Sequence, residues 1–297
     1  MASTLVGVTW DGEEYSLTAR DVCLYALASG VGRQPAYASS DELRFVFEQH
    51  SRFAPLPTFA TTFPFLGVPP NSQPLAAALA ARGLRFSIEA LLHAEQSLTL
   101  LAPLPLGKVL RNFSQITQVV DKGNGLLVTT ETVTRAGNLA ICSNLQSVFI
   151  RGLGSGAVAR GALSSPRPAG EPGREPDGIL IERLENNAAL LFRLCGDLNP
   201  LHVSPAVAAQ GGFRAPIVHG LCTLAWAVRA IVLRLLDGSA ERVCRVTVRF
   251  SGVVYMGESL ETKMWWTSPS TIAFSTNAEG RPALSSGLVE LHAAAAL

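Results

Sequence analysis

The stretch from residue 217 to 236 constrains the fold more than any other part of the chain. Ile217, Leu221, Leu224, Val228, Ile231 and Leu235 recur at three- and four-residue steps, the spacing of one helical face. Arg229 and Arg234 sit inside the run. Two arginines at that depth would be costly in a bilayer, so the segment reads as a buried helix and not a membrane span. Asp237-Gly238 ends it. A buried helix has to be enclosed, and the chain beyond it is strand-like over 242–255, 259–267, 271–276 and 283–292. A long helix succeeded by antiparallel strands able to wrap it predicts an α+β architecture.

The same order occurs more weakly upstream. Thr18 can cap a helix to about Ser29, with Asp21 in its first turn and Gly30 and Gly32 breaking it. Asp41 can cap a second helix over 42–49, residues 53–70 read as irregular Pro-containing chain, and Ser72 can cap a short apolar helix over 74–82 that Gly83 stops. From 84 to 150, runs rich in Val, Ile, Leu and Thr are broken at Pro103/Pro105, 121–125 and 136–138, predicting four or five antiparallel strands. Residues 152–177, GLGSGAVARGALSSPRPAGEPGREPD, are dense in Gly, Ser and Pro and lack periodicity, so they read as a linker. The expected division is 1–151, the linker 152–177, and 178–297. The last part opens with a helix containing 184–194, a loop around 196–200, and a short helix from Ser204-Pro205 to Gly211. Residue identities show no internal repeat, so duplication is only a suspicion.

Composition excludes some functions. With 24 basic and 23 acidic residues, net charge +1, no global field recruits nucleic acid or anionic lipid. A phosphate-bearing ligand needs a local basic patch instead. The N-terminal MASTLVGVTWDGEEY has no basic region succeeded by an apolar one, unlike a secretory signal. The five cysteines are scattered without a C-x-x-C pair. No zinc site, redox dithiol or other metal centre is expected, and they read as small buried residues in a reducing compartment.

The chemistry concentrates in Cys195-Gly196-Asp197-Leu198-Asn199-Pro200-Leu201-His202. Asn199-Pro200 favours a turn, which can aim Asp197 and His202 into one cavity. At neutral pH both can accept a proton, as hydration of a conjugated double bond requires; Asn199 can hold the water or orient the carboxylate. The same residues also fit an Asx-turn with a structural histidine. A second cluster, GFRAPIVHGLCT from 212 to 223, puts Gly220 in the first turn of the long helix. An N–H there lacks an intrahelical partner and faces the positive end of the helix dipole, so it can stabilise an oxyanion on a thioester. Relief of packing at a helix start explains the glycine equally well. His219 reads as structural.

GDLNPLH, with the HGL glycine eighteen residues after His202, resembles the hydratase 2 motif of the MaoC-like, hot-dog-fold (3R)-specific enoyl-CoA hydratases. LTARDVCLYALASGVG, DELRFVFE, LPTF, LLHAEQSLTLLAPLP, VVDKGNG and VRFSGVVYMGESLETKMW extend the likeness to the hydratase 2 domain of peroxisomal multifunctional enzyme type 2 over essentially the whole chain. The resemblance implies a double hot dog of two repeats, each a long helix wrapped by an antiparallel sheet. The second repeat is catalytic, and the first, without the motif, accommodates the acyl chain. It implies Asp197 and His202 as the catalytic pair, Asn199 in support and Gly220 as oxyanion donor. The implied substrate is a fatty acyl-CoA, with no separate cofactor, no nucleic-acid or membrane partner, and assembly as a homodimer. Arg249 and, more weakly, Lys122 are candidates for the CoA phosphates, although a surface ion pair explains Arg249 as well. The family implies a peroxisomal address, with the cytoplasm as the alternative, because Ala295-Ala296-Leu297 lacks the basic middle residue of an import signal. A hot-dog thioesterase, a dehydratase acting on carrier-protein-linked 3-hydroxyacyl groups and a non-catalytic acyl-CoA binding protein are the competing readings.

Overall fold

The computed structural model describes residues 5–33, 40–69, 73–153 and 170–292. The first half contains strands β1 (Thr9–Asp11) and β2 (Tyr15–Ser16), helices α1 (Ala19–Ala28) and α2 (Ser40–Leu43), a 3-10 helix over Pro57–Phe65, helix α3 (Pro74–Ala80), and strands β3 (Leu91–Leu100), β4 (Val109–Asp121), β5 (Gly125–Ala136) and β6 (Leu139–Arg151). The second half contains β7 (Gly178–Arg183), α4 (Ala188–Phe192), α5 (Pro205–Gln210), α6 (Gly220–Leu235), β8 (Val243–Phe250), β9 (Ser259–Ser268), β10 (Thr271–Ala278) and β11 (Arg281–Leu291).

The strands join in one antiparallel sheet ordered β1-β4-β5-β6-β3-β8-β11-β10-β9-β7, with β2 also paired to β4. Outward from the β3–β8 seam the two sides repeat each other: β3-β6-β5-β4 on one, β8-β11-β10-β9 on the other. Topology therefore shows the duplication that residue identities conceal. Helix α6 lies within the curve of the second side and is buried from Leu221 through Val232, as a helix apolar all round must be. It starts three residues later than the apolar pattern predicts. Val218 N–H bonds the Val254 carbonyl at 2.8 Å and Ile217 bridges Tyr255, which holds 217–219 extended.

This is a double hot dog with one departure from the expected symmetry. Among the described residues the first half has no long α-helix. Its place is taken by the 3-10 helix Pro57–Phe65, predicted as irregular, which packs on β3, β5, β6 and α6 and is buried from Pro57 to Phe63. The Thr61 and Thr62 hydroxyls bond back to the carbonyls of Thr58 and Phe59 at 2.7 and 2.9 Å, and Pro64 lacks the N–H an α-helix would use.

Other expectations are corrected locally. The helix expected over 42–49 ends at Leu43, and the one expected over 184–194 is α4 continued by a 3-10 turn, Arg193–Cys195, and preceded by edge strand β7. Cys142, Cys195 and Cys222 are buried, but Cys23 and Cys244 are only partly so. Thr18 does cap α1, in a capping box with Asp21, and Ser204 caps α5. Ser72, linker residues 154–169 and Ala295-Ala296-Leu297 lie outside the described residues.

Arg229 explains how the apolar run carries a charge. It is 2% exposed, bonds Glu182 on β7, and lies 3.6 Å from Glu42 on α2. One cation in the middle of α6 thus ties an element of the first half to the second. Removing it strands two carboxylates in poorly hydrated positions. Arg229→Ala is expected to lower stability by about 3 kcal/mol, whereas Arg33→Ala, which breaks the more exposed pair with Glu185, should cost under about 1 kcal/mol. Urea unfolding midpoints of the two variants check this.

Candidate active site

Gly196 opens the functional loop with φ +131°, and a Cβ there would meet the Leu66 and Phe65 side chains at 3.1 and 3.3 Å, so only glycine fits both the backbone and the space. Two successive Asx bonds then shape the turn. Asp197 Oδ1 accepts the Asn199 N–H at 3.1 Å, and Asn199 Oδ1 accepts the Leu201 N–H at 3.0 Å. Asn199 thus orients the carboxylate through its backbone while its side chain caps the 3-10 turn Pro200–His202. The Asx-turn and the functional reading describe one arrangement.

His202 is 8% exposed. Its Nδ1 lies 2.9 Å from the Ile217 carbonyl, which can only accept, so Nδ1 carries the proton and Nε2 keeps a free lone pair. Burial holds His202 below its ordinary value of 6.5, partly offset by the charge of Asp197. His219 stacks on it with ring centroids 3.6 Å apart and gives its Nε2–H to the Asp197 carbonyl at 3.2 Å. Burial, and then His202 itself, keep His219 well below the usual imidazole range. Both rings are neutral near pH 7.

A carboxylate oxygen of Asp197 and ring nitrogens of His202 and His219 lie within 4.8 Å of one another. In each ring one nitrogen bonds a carbonyl, which leaves His202 Nε2 and His219 Nδ1 without a partner among the described residues. Gly220 begins α6, so its N–H has no intrahelical acceptor. A Cβ there would meet the Phe250 ring at 2.9 Å, so the close packing of Phe250 also requires glycine.

Asp197, Asn199, His202 and Gly220 border one cavity of about 710 Å³. The four site residues named from the motif are therefore brought together. Arg249 and Lys122 do not border it. Arg249 is exposed opposite Glu95 of β3, and Lys122 is exposed beyond the end of β4. The cation at the rim is Arg151, whose guanidinium also bonds the Glu89 and Gly211 carbonyls.

Sequence reasoning missed His93. This first-half histidine lines the same cavity, bonds the Glu95 carbonyl through Nε2 at 3.1 Å, and packs on Phe250 at 4.6 Å. Nothing in a strand-like run marks it, because its position depends on the β3–β8 pairing.

Fold and site define a double hot-dog protein of the MaoC-like class. Two family models match: MFE-2 hydratase 2 N-terminal domain over residues 15–152, and MaoC like domain over residues 168–282. The protein named probable enoyl-CoA hydratase 2 of Dictyostelium discoideum is 36% identical over 282 residues, 93% of this chain and 91% of that one. Mouse peroxisomal multifunctional enzyme type 2 is 35% identical over 250 residues, 84% of this chain and only 33% of that protein. The crystal structure of a MaoC-like dehydratase from Phytophthora capsici superposes with a TM-score of 0.86 at 27% identity, covering 99% of this chain and 98% of that one. A Mycobacterium tuberculosis protein described as a double hotdog fold shares the fold at a TM-score of 0.61 and 14% identity, covering 96% of each chain. The chain belongs to the enoyl-CoA hydratase 2 family, a family of hydro-lyases.

Burial pulls His93 down to about 4, with Asp197 acting the other way. Its folded value lies below the unfolded one, so the unfolded chain binds more protons between about pH 4 and 6.5, and stability falls as pH drops through that window. His93→Phe is expected to flatten the fall without abolishing it, since His202 and His219 are also buried. Urea midpoints at stepped pH values measure the slope.

Proposed function

We propose that this protein reversibly hydrates trans-2-enoyl-CoA to (3R)-3-hydroxyacyl-CoA in fatty acid metabolism. One observation carries the reading: a carboxylate and an imidazole with a free Nε2 border the same cavity as an unpaired helix-start amide. In this reading the thioester carbonyl sits on the Gly220 N–H, where the α6 dipole stabilises the enolate oxygen. Water held by Asp197 and His202 loses a proton to the pair as its oxygen bonds C3. The pair returns a proton to C2, so one water is added and no other reactant is needed. The CoA phosphates meet Arg151 at the rim instead of Arg249. His219 and Asn199 act by holding His202 and Asp197 in place.

The names of the relatives in Dictyostelium and mouse support enoyl-CoA as substrate and a peroxisomal setting. No helix among the described residues is long and apolar enough to cross a membrane. The first half accommodates the acyl chain and the second does the chemistry, and two copies pair in solution.

Positioned acid–base groups contribute about 10²–10⁴ in rate. Asp197→Ala and His202→Ala should each lower kcat at least about 10²-fold with KM much less changed, measured by loss of enoyl-thioester absorbance with crotonyl-CoA. Chiral analysis should find the 3R product; a 3S product or release of free CoA thiol overturns the assignment. Neutral His202 is required and burial lowers its titration. The acid limb of kcat/KM should therefore have its midpoint below pH 6.5, and activity should be retained as pH falls to 6.5.

A further inference from the structure

One strip of the cavity wall contributed by the first half is polar, set among apolar lining residues such as Leu91, Leu92, Val148 and Phe149, where its counterpart across the seam is apolar. On the inward face of the sheet, Thr130, Gln146 and Gln96 lie side by side on β5, β6 and β3. The neighbouring row runs Trp10, Ser114, Thr132, Asn144 and Leu98. Across the seam that row continues as Val246, Val289 and Ile272, all buried in the core that encloses α6. The second half packs a helix on its row. The first half, with no long helix among the described residues, turns part of its own toward the cavity, where Trp10, Ser114, Thr130, Thr132 and Gln146 are among the lining residues.

Ser114 and Thr132 satisfy each other at 2.9 Å. The Thr130 hydroxyl and the Gln146 carboxamide, which both line the cavity, have no hydrogen-bond partner among the described residues. A plain hydrocarbon chain laid along this wall would strip water from the Thr130 and Gln146 groups and return no hydrogen bond. Gln146 is two residues along β6 from Val148, which pairs with His93. That places the polar row roughly 7 Å along the sheet from the histidine.

We propose that the acyl-CoA substrates best matched to this site carry an oxygen substituent, a hydroxyl or a ketone, on the part of the chain that lies along Thr130 and Gln146. The inference rests on the enoyl-CoA reading above and narrows its substrate class. A site built to bond such an oxygen discriminates against the analogue lacking it.

The test uses the full chain and matched pairs of trans-2-enoyl-CoA, from octenoyl to dodecenoyl, with and without a terminal hydroxyl. At the length where the hydroxyl reaches the row, kcat/KM for the hydroxylated member should equal or exceed that of its parent. Thr130→Val with Gln146→Leu should lower that ratio about five- to tenfold, and Thr130→Val alone, isosteric in the sheet, should lower it in the same direction. A parent preferred at every length, or a ratio unmoved by both variants, overturns the inference. If crotonyl-CoA itself is not hydrated, the proposed reaction fails instead. The same ratio, taken from dissociation constants of the saturated acyl-CoA pairs, then decides the inference by the same two outcomes.

Discussion

The molecule depends on the antiparallel pairing of β3 with β8. Gln96 faces Val248 and Leu98 faces Val246 across that seam, and the pairing turns two wrapped sheets into one. Because the strands meet there, His93 of the first half packs on Phe250 of the second, and Phe250 closes over Gly220. Arg229 reinforces the join from within, reaching Glu42 on one side and Glu182 on the other. The site is not a loop added to one half. Its walls come from both.

The halves share a strand order and differ in what fills them. In the second, α6 occupies the curve of the sheet and brings an apolar lining. In the first, a 3-10 segment containing Pro64 fills part of the same space and leaves the rest open beside Thr130 and Gln146. The extended residues 217–219, pinned to 254–255, hand one carbonyl to His202 Nδ1 and then release the Gly220 amide at the start of the helix. A few residues of backbone thus fix the tautomer of the histidine and the direction of the amide together.

Much of this is legible in the sequence because it is local. The 3.6-residue spacing of Leu221, Leu224, Val228 and Ile231 sets α6, and Thr18 with Asp21 sets the start of α1. Asn199-Pro200 sets the bend that aims Asp197 and His202 toward one cavity. The features that escape depend on partners distant in the chain. His93 is one polar residue in a strand-like run until β8 lies beside it. β7 alternates half-buried and exposed residues at the sheet edge, a pattern too short to separate from a helix start. Arg249 suits phosphate by residue type, but strand alternation puts it on the opposite side from Phe250, facing solvent, while Arg151 reaches the rim from the end of β6.

The seam also bears on ancestry. Cut at the connection, each half would expose the backbone edge of its innermost strand, β3 or β8, an open template for further strands. Two free and identical halves could satisfy those edges by joining each other, but a symmetric pair cannot hold a helix in one cradle and an open polar wall in the other. Tethering the two as one polypeptide supplies unlike halves in equal number, so each could drift toward its own task without losing its mate.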